Sequence, residues 1–193
     1  MALAVGSKDA GLVGKGKRGV VYLDYFKGKK VVVKVARADS RAINKIEDEA
    51  RWLKRLNNFG IGPKFIGYKD GKLTAEYIDG KFFLDWFKDA SAVDRKKVVR
   101  EVMNQCRIMD RLGISKCEMH RPVKHILISK GKAVMIDFER CKIDLKAKNV
   151  TQFGTFLQKL GVGDVGEVRV ALRIYRRKFD DESFEMVLKA LDI

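Results

Sequence analysis

A glycine-rich segment followed by a strand-like segment with one lysine is the part of this 193-residue sequence whose chemistry is easiest to interpret. Gly14, Gly16 and Gly19 stand in the string GKGKRGVVY, and Lys34 follows in VVVKVAR. Glycines let a backbone approach phosphate groups closely, and a lysine supplies a positive charge that attracts them. β-Branched and aromatic residues after the third glycine predict a strand, whereas a dinucleotide-binding loop would open a helix. The pattern therefore predicts a phosphate-binding loop between two strands, with a hairpin that has a flexible tip as the alternative.

Two acidic positions could complete such a site. Glu49 lies beside the apolar stripe of a helix predicted over residues 40–57. Its carboxylate could pair with Lys34 and fix the direction of the lysine, and Glu47 is the competing choice. Asp137 ends the apolar string VMID, where a strand would deliver a hard oxygen ligand for Mg²⁺. The alternatives are a solvated helix glutamate and an aspartate that belongs only to a turn.

Both histidines of the chain fall within one six-residue window, His120 to His125. Histidine titrates near neutral pH, so His120 could accept a proton from a hydroxyl group. Lys124 or Arg121 could contact a phosphate. Imidazole is a poor ligand for Mg²⁺, so His125 could instead bond a phosphate or orient Asp137. Two chance histidines in a loop are the alternative.

The elements expected to position these residues form two parts and an α+β fold. Residues 1–80 are predicted to form a small antiparallel β-sheet with one helix. Its elements are three strands within 11–36, a helix over 40–57 capped by Asp39 or Ser40, and strands at 64–68 and 72–78. Residues 81–193 are predicted to be mainly helical. Their elements are a hairpin at 126–129 and 133–137 and helices over 82–88, 93–112, 151–160, 165–179 and 182–191.

The charge of the chain is strongly one-sided. Lysine and arginine number 41 against 25 acidic residues, a formal net charge of +16. This excess favours a polyanionic partner such as nucleic acid over an anionic membrane, and a solvated basic surface is the alternative. Four arginines flank the apolar face of the helix predicted over 165–179, at a spacing suited to phosphates along an RNA backbone. They are Arg169, Arg173, Arg176 and Arg177.

Several classes of protein are disfavoured. The three cysteines are widely spaced and lack a C-x-x-C pair, which predicts neither a disulfide framework nor a zinc site and fits a reducing cytoplasm. No apolar run approaches the roughly 20 residues that span a bilayer. The beginning of the sequence lacks the basic lead and long apolar stretch of a signal peptide. We therefore expect a cytoplasmic protein with no membrane partner.

From about Leu12 to Phe138, the order of the motifs resembles that of the protein-kinase-like fold: glycine loop, lysine strand, glutamate helix, hinge, catalytic segment and Asp-Phe pair. The resemblance implies ATP as the nucleotide and a metal, Mg²⁺, at Asp137. It also implies a hinge in the string LTAEYIDG, where backbone groups bond the adenine. The nucleotide-binding residues that it implies are Gly14, Gly16, Gly19, Val21, Lys34, Glu49, Glu76 and Ile78.

The chain departs from protein kinases at two places. His120 stands where the resemblance expects the catalytic aspartate, and His125 stands where it expects the metal-binding asparagine. Because the transition state of phosphoryl transfer is loose, a strong base is not essential for turnover. The sequence after Asp137 has no room for a long activation segment and contains no Ala-Pro-Glu. This second departure favours an acceptor other than a peptide.

The strings GKGKRGVVYL, PVKHILI, MIDFERC and KNVTQF resemble a compact archaeal group of protein-kinase-like proteins, once labelled predicted Ser/Thr kinases, that includes an RNA kinase. The resemblance implies ATP-dependent phosphorylation of a ribose 2′-hydroxyl in tRNA, at a variable-loop uridine (position 47 by tRNA convention), without an obligatory protein partner. The catalytic residues expected on this basis are Lys34, His120, Lys124, His125 and Asp137. A small atypical Ser/Thr protein kinase and an ATP-binding scaffold without turnover are the alternatives.

Overall fold

The computed structural model describes residues 11–15, 19–37 and 43–193, with side chains from residue 45 onward in the last range. Gly16 and the two candidate helix caps, Asp39 and Ser40, lie outside these residues. The described chain is mixed α and β, with a five-stranded antiparallel sheet and six helices, which confirms the predicted α+β class. It divides into two compact units. The first unit takes in the described residues up to Asp79 together with Met135–Arg140, and the second takes in Gly80–Val134 and Cys141–Ile193.

The first unit contains an antiparallel sheet in the order β1-β2-β3-β5-β4 and one helix. Its elements are β1 (Gly11–Lys15), β2 (Gly19–Phe26), β3 (Lys29–Ala36), α1 (Ile43–Asn57), β4 (Phe65–Lys69) and β5 (Lys72–Glu76). Lys27-Gly28 closes one hairpin with φ of 51° and 74°, and Asp70-Gly71 closes the other with φ of 50° and 72°. Two consecutive residues with positive φ are what a two-residue turn of type I′ requires. The second hairpin joins the strands predicted at 64–68 and 72–78, and the first lies within the three-stranded segment predicted at 11–36.

The first unit buries apolar residues on its sheet and along one stripe of α1, and α1 lies on the face of the sheet that carries Lys34. Val31 and Val33 on β3 are buried, as is the helical stripe formed by Ile46, Ala50, Leu53 and Leu56. Because side chains alternate across a strand, Lys34 projects from the face of β3 opposite Val31 and Val33.

The second unit carries the remaining helices and short strands. The helices are α2 (Phe83–Asp89), α3 (Ala92–Arg111), α4 (Asn149–Lys159), α5 (Val165–Lys178) and α6 (Asp181–Ala190). The strands are β6 (Lys81–Phe82), β7 (Ile114–Ser115), β8 (Ile126–Ser129), β9 (Lys132–Met135, whose last residue belongs to the first unit) and β10 (Lys142–Ile143). Two-residue strands such as β6, β7 and β10 carry too little periodicity to be predicted from sequence.

Element ends differ from the sequence predictions where the backbone turns left-handed. β9 ends at Met135 rather than at Asp137, because Asp137 has φ of 61° and cannot continue a strand. α5 ends at Lys178 because Phe179 has φ of 58°, the left-handed conformation that closes many helices. Within the described residues, no helix is both long enough and apolar enough to cross a membrane.

A buried polar network holds the second unit together around Asp110, which is 1% exposed. Its carboxylate accepts hydrogen bonds from the backbone and side chain of Asn149 at 2.8 Å each, from the N–H of Val150 at 3.2 Å and from the hydroxyl of Tyr175 at 3.0 Å. Burial raises the pKa of Asp110, and these hydrogen bonds oppose that effect. The network joins α3 to α4 and α5.

Asn149 extends this network to the loop that precedes the two histidines. Its side chain donates to the carbonyl of Ile114 at 2.7 Å and accepts from the N–H of Lys116 at 2.9 Å. Residues 114–116 are thus anchored to the same buried carboxylate as the helices.

Candidate functional site

A cluster of one ammonium and several carboxylate groups lies in the first unit. The Nζ of Lys34 is 2.5 Å from Oε2 of Glu49 and 3.2 Å from Oδ1 of Asp137. β3 supplies the lysine, α1 supplies the glutamate, and the segment after β9 supplies the aspartate. The sequence left Glu49 and Glu47 as alternatives, and the structure selects Glu49, which is buried, while Glu47 is exposed.

Burial and charge act against each other in this cluster. Burial lowers the pKa of Lys34, but the attraction of Glu49 and Asp137 outweighs burial and holds that pKa above its ordinary value. Burial raises the pKa of Glu49, and the opposing effect of Lys34 offsets this only in part. Lys34 therefore stays cationic at neutral pH and can attract phosphate groups.

Glu139 adds a third carboxylate, which the sequence analysis did not single out. Oxygen atoms of Glu49, Asp137 and Glu139 lie within 4.8 Å of one another. Mg²⁺ is usually bound through one or two carboxylates together with substrate phosphates. Asp137 and Glu139 are both partly exposed and offer that donor set, so these residues fit the metal that the family resemblance implies.

Phe138 anchors the segment that carries Asp137. Its side chain is 1% exposed, and a Cβ built on Gly62 would lie 2.9 Å from its ring. Gly62 has φ of 86°, so both its conformation and the space above it favour glycine. Asp137, the residue before Phe138, has a left-handed backbone, a conformation that is uncommon outside glycine and recurs at functional sites.

An apolar face of the sheet surrounds Lys34. Val21 on β2 and Leu73 on β5 pair directly with Lys34, so they lie on the same face. Val32, two residues before Lys34, is on that face as well, a position that the sequence analysis did not name. Such a surface beside an ammonium group can take the flat ring of a base.

The two described loop glycines differ in their surroundings. A Cβ on Gly19 would lie 3.0 Å from the carbonyl oxygen of Val35 and 3.5 Å from Cε of Lys34, so a side chain there would crowd the lysine. A Cβ on Gly14 would meet no atom within 4 Å among the described residues, which leaves room for a ligand.

The hinge residues end β5. The N–H of Glu76 donates to the carbonyl of Lys64 at 2.9 Å, and the N–H of Tyr77 donates to the carbonyl of Lys30 at 3.3 Å. The N–H of Glu76 is therefore already used within the sheet. Ile78 lies beyond the end of the strand and is half-buried.

The histidine window of the second unit contains two different environments. His120 and Lys124 are exposed, whereas the side chain of His125 is 19% exposed. Nδ1 of His125 lies 3.4 Å from Oε2 of Glu118, and the same oxygen lies 4.0 Å from Nζ of Lys116. Lys116 has no solvent exposure, so its ammonium group approaches Glu118 from the buried side.

The predicted arginine stripe lies on α5 of the second unit. Arg169, Arg173, Arg176 and Arg177 are all exposed, while Val168, Leu172 and Tyr175 are buried on the opposite side of the helix. Residues three and four positions apart share a face, so these four cations form one stripe.

Comparisons with known proteins leave the family undecided. No family model matches the sequence, and no significant match to a curated protein was found.

Proposed function

We propose that this protein is an ATP-dependent kinase with a minimal protein-kinase-like fold that phosphorylates a ribose 2′-hydroxyl of tRNA. The observation that carries the proposal is the ion pair of Lys34 with Glu49, with Asp137 as a second carboxylate on the same ammonium group. A lysine held in this way presents a fixed positive charge to the phosphates of a nucleotide.

The face of the sheet around Lys34 supports ATP as the nucleotide. Val21 and Val32 offer apolar contacts for adenine, and Gly14 and Gly19 allow the backbone to cover the phosphates. Asp137, with Glu139 beside it, would hold Mg²⁺, which when bound would neutralise charge on the phosphates during transfer.

The charge distribution supports RNA as the acceptor. A net charge of +16 and the exposed arginine stripe of α5 favour a polyanionic substrate. The choice of tRNA, of the 2′-hydroxyl and of a variable-loop uridine rests on the family resemblance. The residues proposed to act on the acceptor or on the moving phosphoryl group are His120, Lys124 and His125.

The decisive experiment measures transfer of labelled γ-phosphate from ATP to total tRNA, with a protein mixture assayed in parallel. We expect label in tRNA and at least a hundredfold lower rate for the Asp137→Asn variant, because a carboxylate ligand is removed. Asp70→Asn is the matched control, since Asp70 also has a positive φ but lies in a hairpin turn of the first unit. Asparagine tolerates this backbone conformation, so both variants should fold.

Other outcomes would overturn the proposal. Label only in protein would identify a protein kinase, and ATP binding without transfer to either acceptor would identify a scaffold. Equal rates of transfer by wild type and Asp137→Asn would show that the carboxylate of Asp137 is not required for the reaction.

The arginine stripe gives a second prediction about RNA. The double variant Arg173→Gln/Arg177→Gln should bind tRNA more weakly, and its salt dependence should fall by about one unit of log–log slope for each phosphate that the protein no longer neutralises. Arg51→Gln/Arg55→Gln is the control, because these arginines are exposed at the same spacing on α1. Filter binding or fluorescence anisotropy across a salt series measures both slopes. Equal slopes for the two double variants would contradict a role of α5.

A further inference from the structure

We propose that a row of three side chains on the sheet of the first unit stacks unpaired bases of the RNA acceptor. This tyrosine row consists of Tyr25 on β2, Lys30 on β3 and Tyr77 directly after β5. The inference rests on the proposed RNA kinase function and adds a second contact surface for the RNA besides the arginine stripe of α5. All three residues belong to the first unit, so the surface is complete within that unit.

The register of the sheet brings these side chains together. Tyr25 pairs directly with Lys30, so both side chains leave the sheet on one face with Cβ atoms about 5 Å apart. The N–H of Tyr77 donates to the carbonyl of Lys30 at 3.3 Å, and Nζ of Lys30 lies 5.8 Å from the centre of the Tyr77 ring. That distance is within the range of a cation–π interaction. Because β3 lies between β2 and β5, the lysine stands between the two tyrosines.

The tyrosine row lies on the same face of the sheet as Lys34, but farther along β3. Lys30 is four residues before Lys34, an even spacing that keeps both side chains on one face, about 13 Å apart along the strand. Val32 lies halfway between them and contacts the adenine in the proposed function. ATP with its phosphates at Lys34 and its adenine at Val32 would therefore leave the tyrosine row to another ligand.

The exposure and charge of the row fit a nucleic acid. Tyr25 is 50% exposed and Lys30 is also exposed, whereas Tyr77 is half-buried. The hairpin turn after Tyr25 adds two exposed cations, Lys27 and Lys29, and no acidic residue lies in this segment. Aromatic rings stack on the bases of single-stranded RNA, and lysines bind its phosphates. The combination of rings and ammonium groups on one surface therefore suits unpaired nucleotides.

Two acidic residues beside the row are turned away from it. Asp24 and Glu76 both pair with Val31, so their side chains lie on the opposite face of the sheet from Lys30. Oδ1 of Asp24 accepts a backbone N–H at 2.7 Å, and the carboxylate of Glu76 accepts the N–H of Lys64 at 3.2 Å. The face that carries the row keeps its positive charge, which favours RNA over a basic partner or a second copy of this chain.

The first test measures binding of fluorescein-labelled single-stranded oligo(U) by fluorescence anisotropy. Uracils stack only weakly on one another, so contacts with the protein dominate. We expect Tyr25→Leu to weaken binding about tenfold, because it removes a stacking ring, and to leave the salt dependence unchanged, because it removes no charge. Tyr25→Phe keeps the ring and should bind like wild type. Tyr22→Leu is the matched control, since Tyr22 lies on the same strand but pairs with Val33 on the opposite face.

The lysines of the hairpin turn should give the complementary result. Lys27→Gln/Lys29→Gln should lower the log–log salt slope by about 0.7 for each phosphate that the protein no longer neutralises on a single strand. Lys130→Gln/Lys132→Gln is the matched control, because these exposed lysines flank the same Lys-Gly-Lys turn in the second unit. Equal slopes for the two double variants would overturn the contribution of the hairpin.

Ultraviolet crosslinking of oligo(U) to wild type tests the same contact without a substitution. We expect mass spectrometry to find the nucleotide on a peptide that contains Tyr25 or Tyr77. Crosslinks only at other peptides, together with normal oligo(U) binding by Tyr25→Leu, would overturn the tyrosine row and leave the kinase function standing. A Tyr25→Leu variant that binds ATP more weakly but oligo(U) normally would assign the row to the nucleotide and also overturn the proposal.

The assay of phosphoryl transfer separates this inference from the proposed function. If wild type binds tRNA but transfers no phosphate to it, the kinase function is overturned, and the oligo(U) measurements still decide whether the tyrosine row binds bases. If wild type binds neither oligo(U) nor tRNA, both proposals are overturned together.

Discussion

A Lys34→Met variant should lose phosphoryl transfer by about 10³-fold, since one preorganised charge that stabilises a transition state is worth about 10²–10³ in rate. Methionine keeps the length and the apolar stem of lysine but removes the ammonium group. The phosphates then meet Glu49 and Asp137 without the cation between them, so binding of ATP should weaken as well. Transfer of labelled phosphate and ATP titration measure the two effects.

The same substitution should destabilise the first unit in a pH-dependent way. Glu49 remains buried without its 2.5 Å partner, which we expect to cost about 3 kcal/mol of unfolding free energy at neutral pH. Burial already raises the pKa of Glu49, and removal of Lys34 raises it further above the unfolded value. A carboxyl group with a raised folded pKa binds its proton more tightly in the folded state, so stability falls as pH rises. The loss of unfolding free energy in Lys34→Met, relative to wild type, should therefore be smaller at about pH 5 than at about pH 7.

Chemical denaturation at several pH values tests this prediction. Lys29→Met is the matched control, because Lys29 is exposed on the same strand. The double variant Lys34→Met/Glu49→Met should recover part of the missing stability, since it removes the buried charge, but it should recover no activity. A deficit that stays constant with pH would contradict an ionised Glu49 as its cause.

Replacing Asp110 with alanine should give the largest loss of stability in the second unit. Its carboxylate accepts four hydrogen bonds in a site with 1% exposure. Each buried donor left without an acceptor costs about 1–3 kcal/mol, and partial rearrangement should leave a net loss of about 4 kcal/mol. Asp110→Asn keeps one acceptor oxygen and should lose about half as much.

Thermal and denaturant unfolding measure these losses, with Asp85→Ala at an exposed position of α2 as the control. Because Asn149 also binds the N–H of Lys116 and the carbonyl of Ile114, Asp110→Asn should also loosen residues 114–116. A stability equal to that of Asp85→Ala would show that the network contributes little.

Much of the fold could be predicted because short-range signals specify it. Lys27-Gly28, Asp70-Gly71 and Lys130-Gly131 each have two positive φ values and each joins two strands, as their glycines indicate. The apolar stripes of α1 and α5 follow the helical period, and buried positions match it. These signals involve residues that are neighbours in sequence.

The site was only partly predictable, because its contacts join residues far apart in the chain. The sequence could not separate Glu49 from Glu47, since both lie near the apolar stripe and burial decides between them. Glu118 and Glu139 are ordinary acidic residues until the fold brings them to His125 and Asp137. Neither belongs to a motif with a fixed spacing, so no local signal identified them. The kinase-like character of the fold, its nucleotide and its RNA substrate stay predictions.

The assignment of Met135–Arg140 to the first unit has a consequence for biosynthesis. A ribosome completes the sheet and α1 long before it adds Phe138, the residue whose ring lies against Gly62. Until then the nascent first unit has an unfilled hydrophobic gap and lacks Asp137. A fragment that stops at residue 79 should therefore be poorly stable and should require the later segment for folding, so splitting the gene at that boundary should not give two independent proteins.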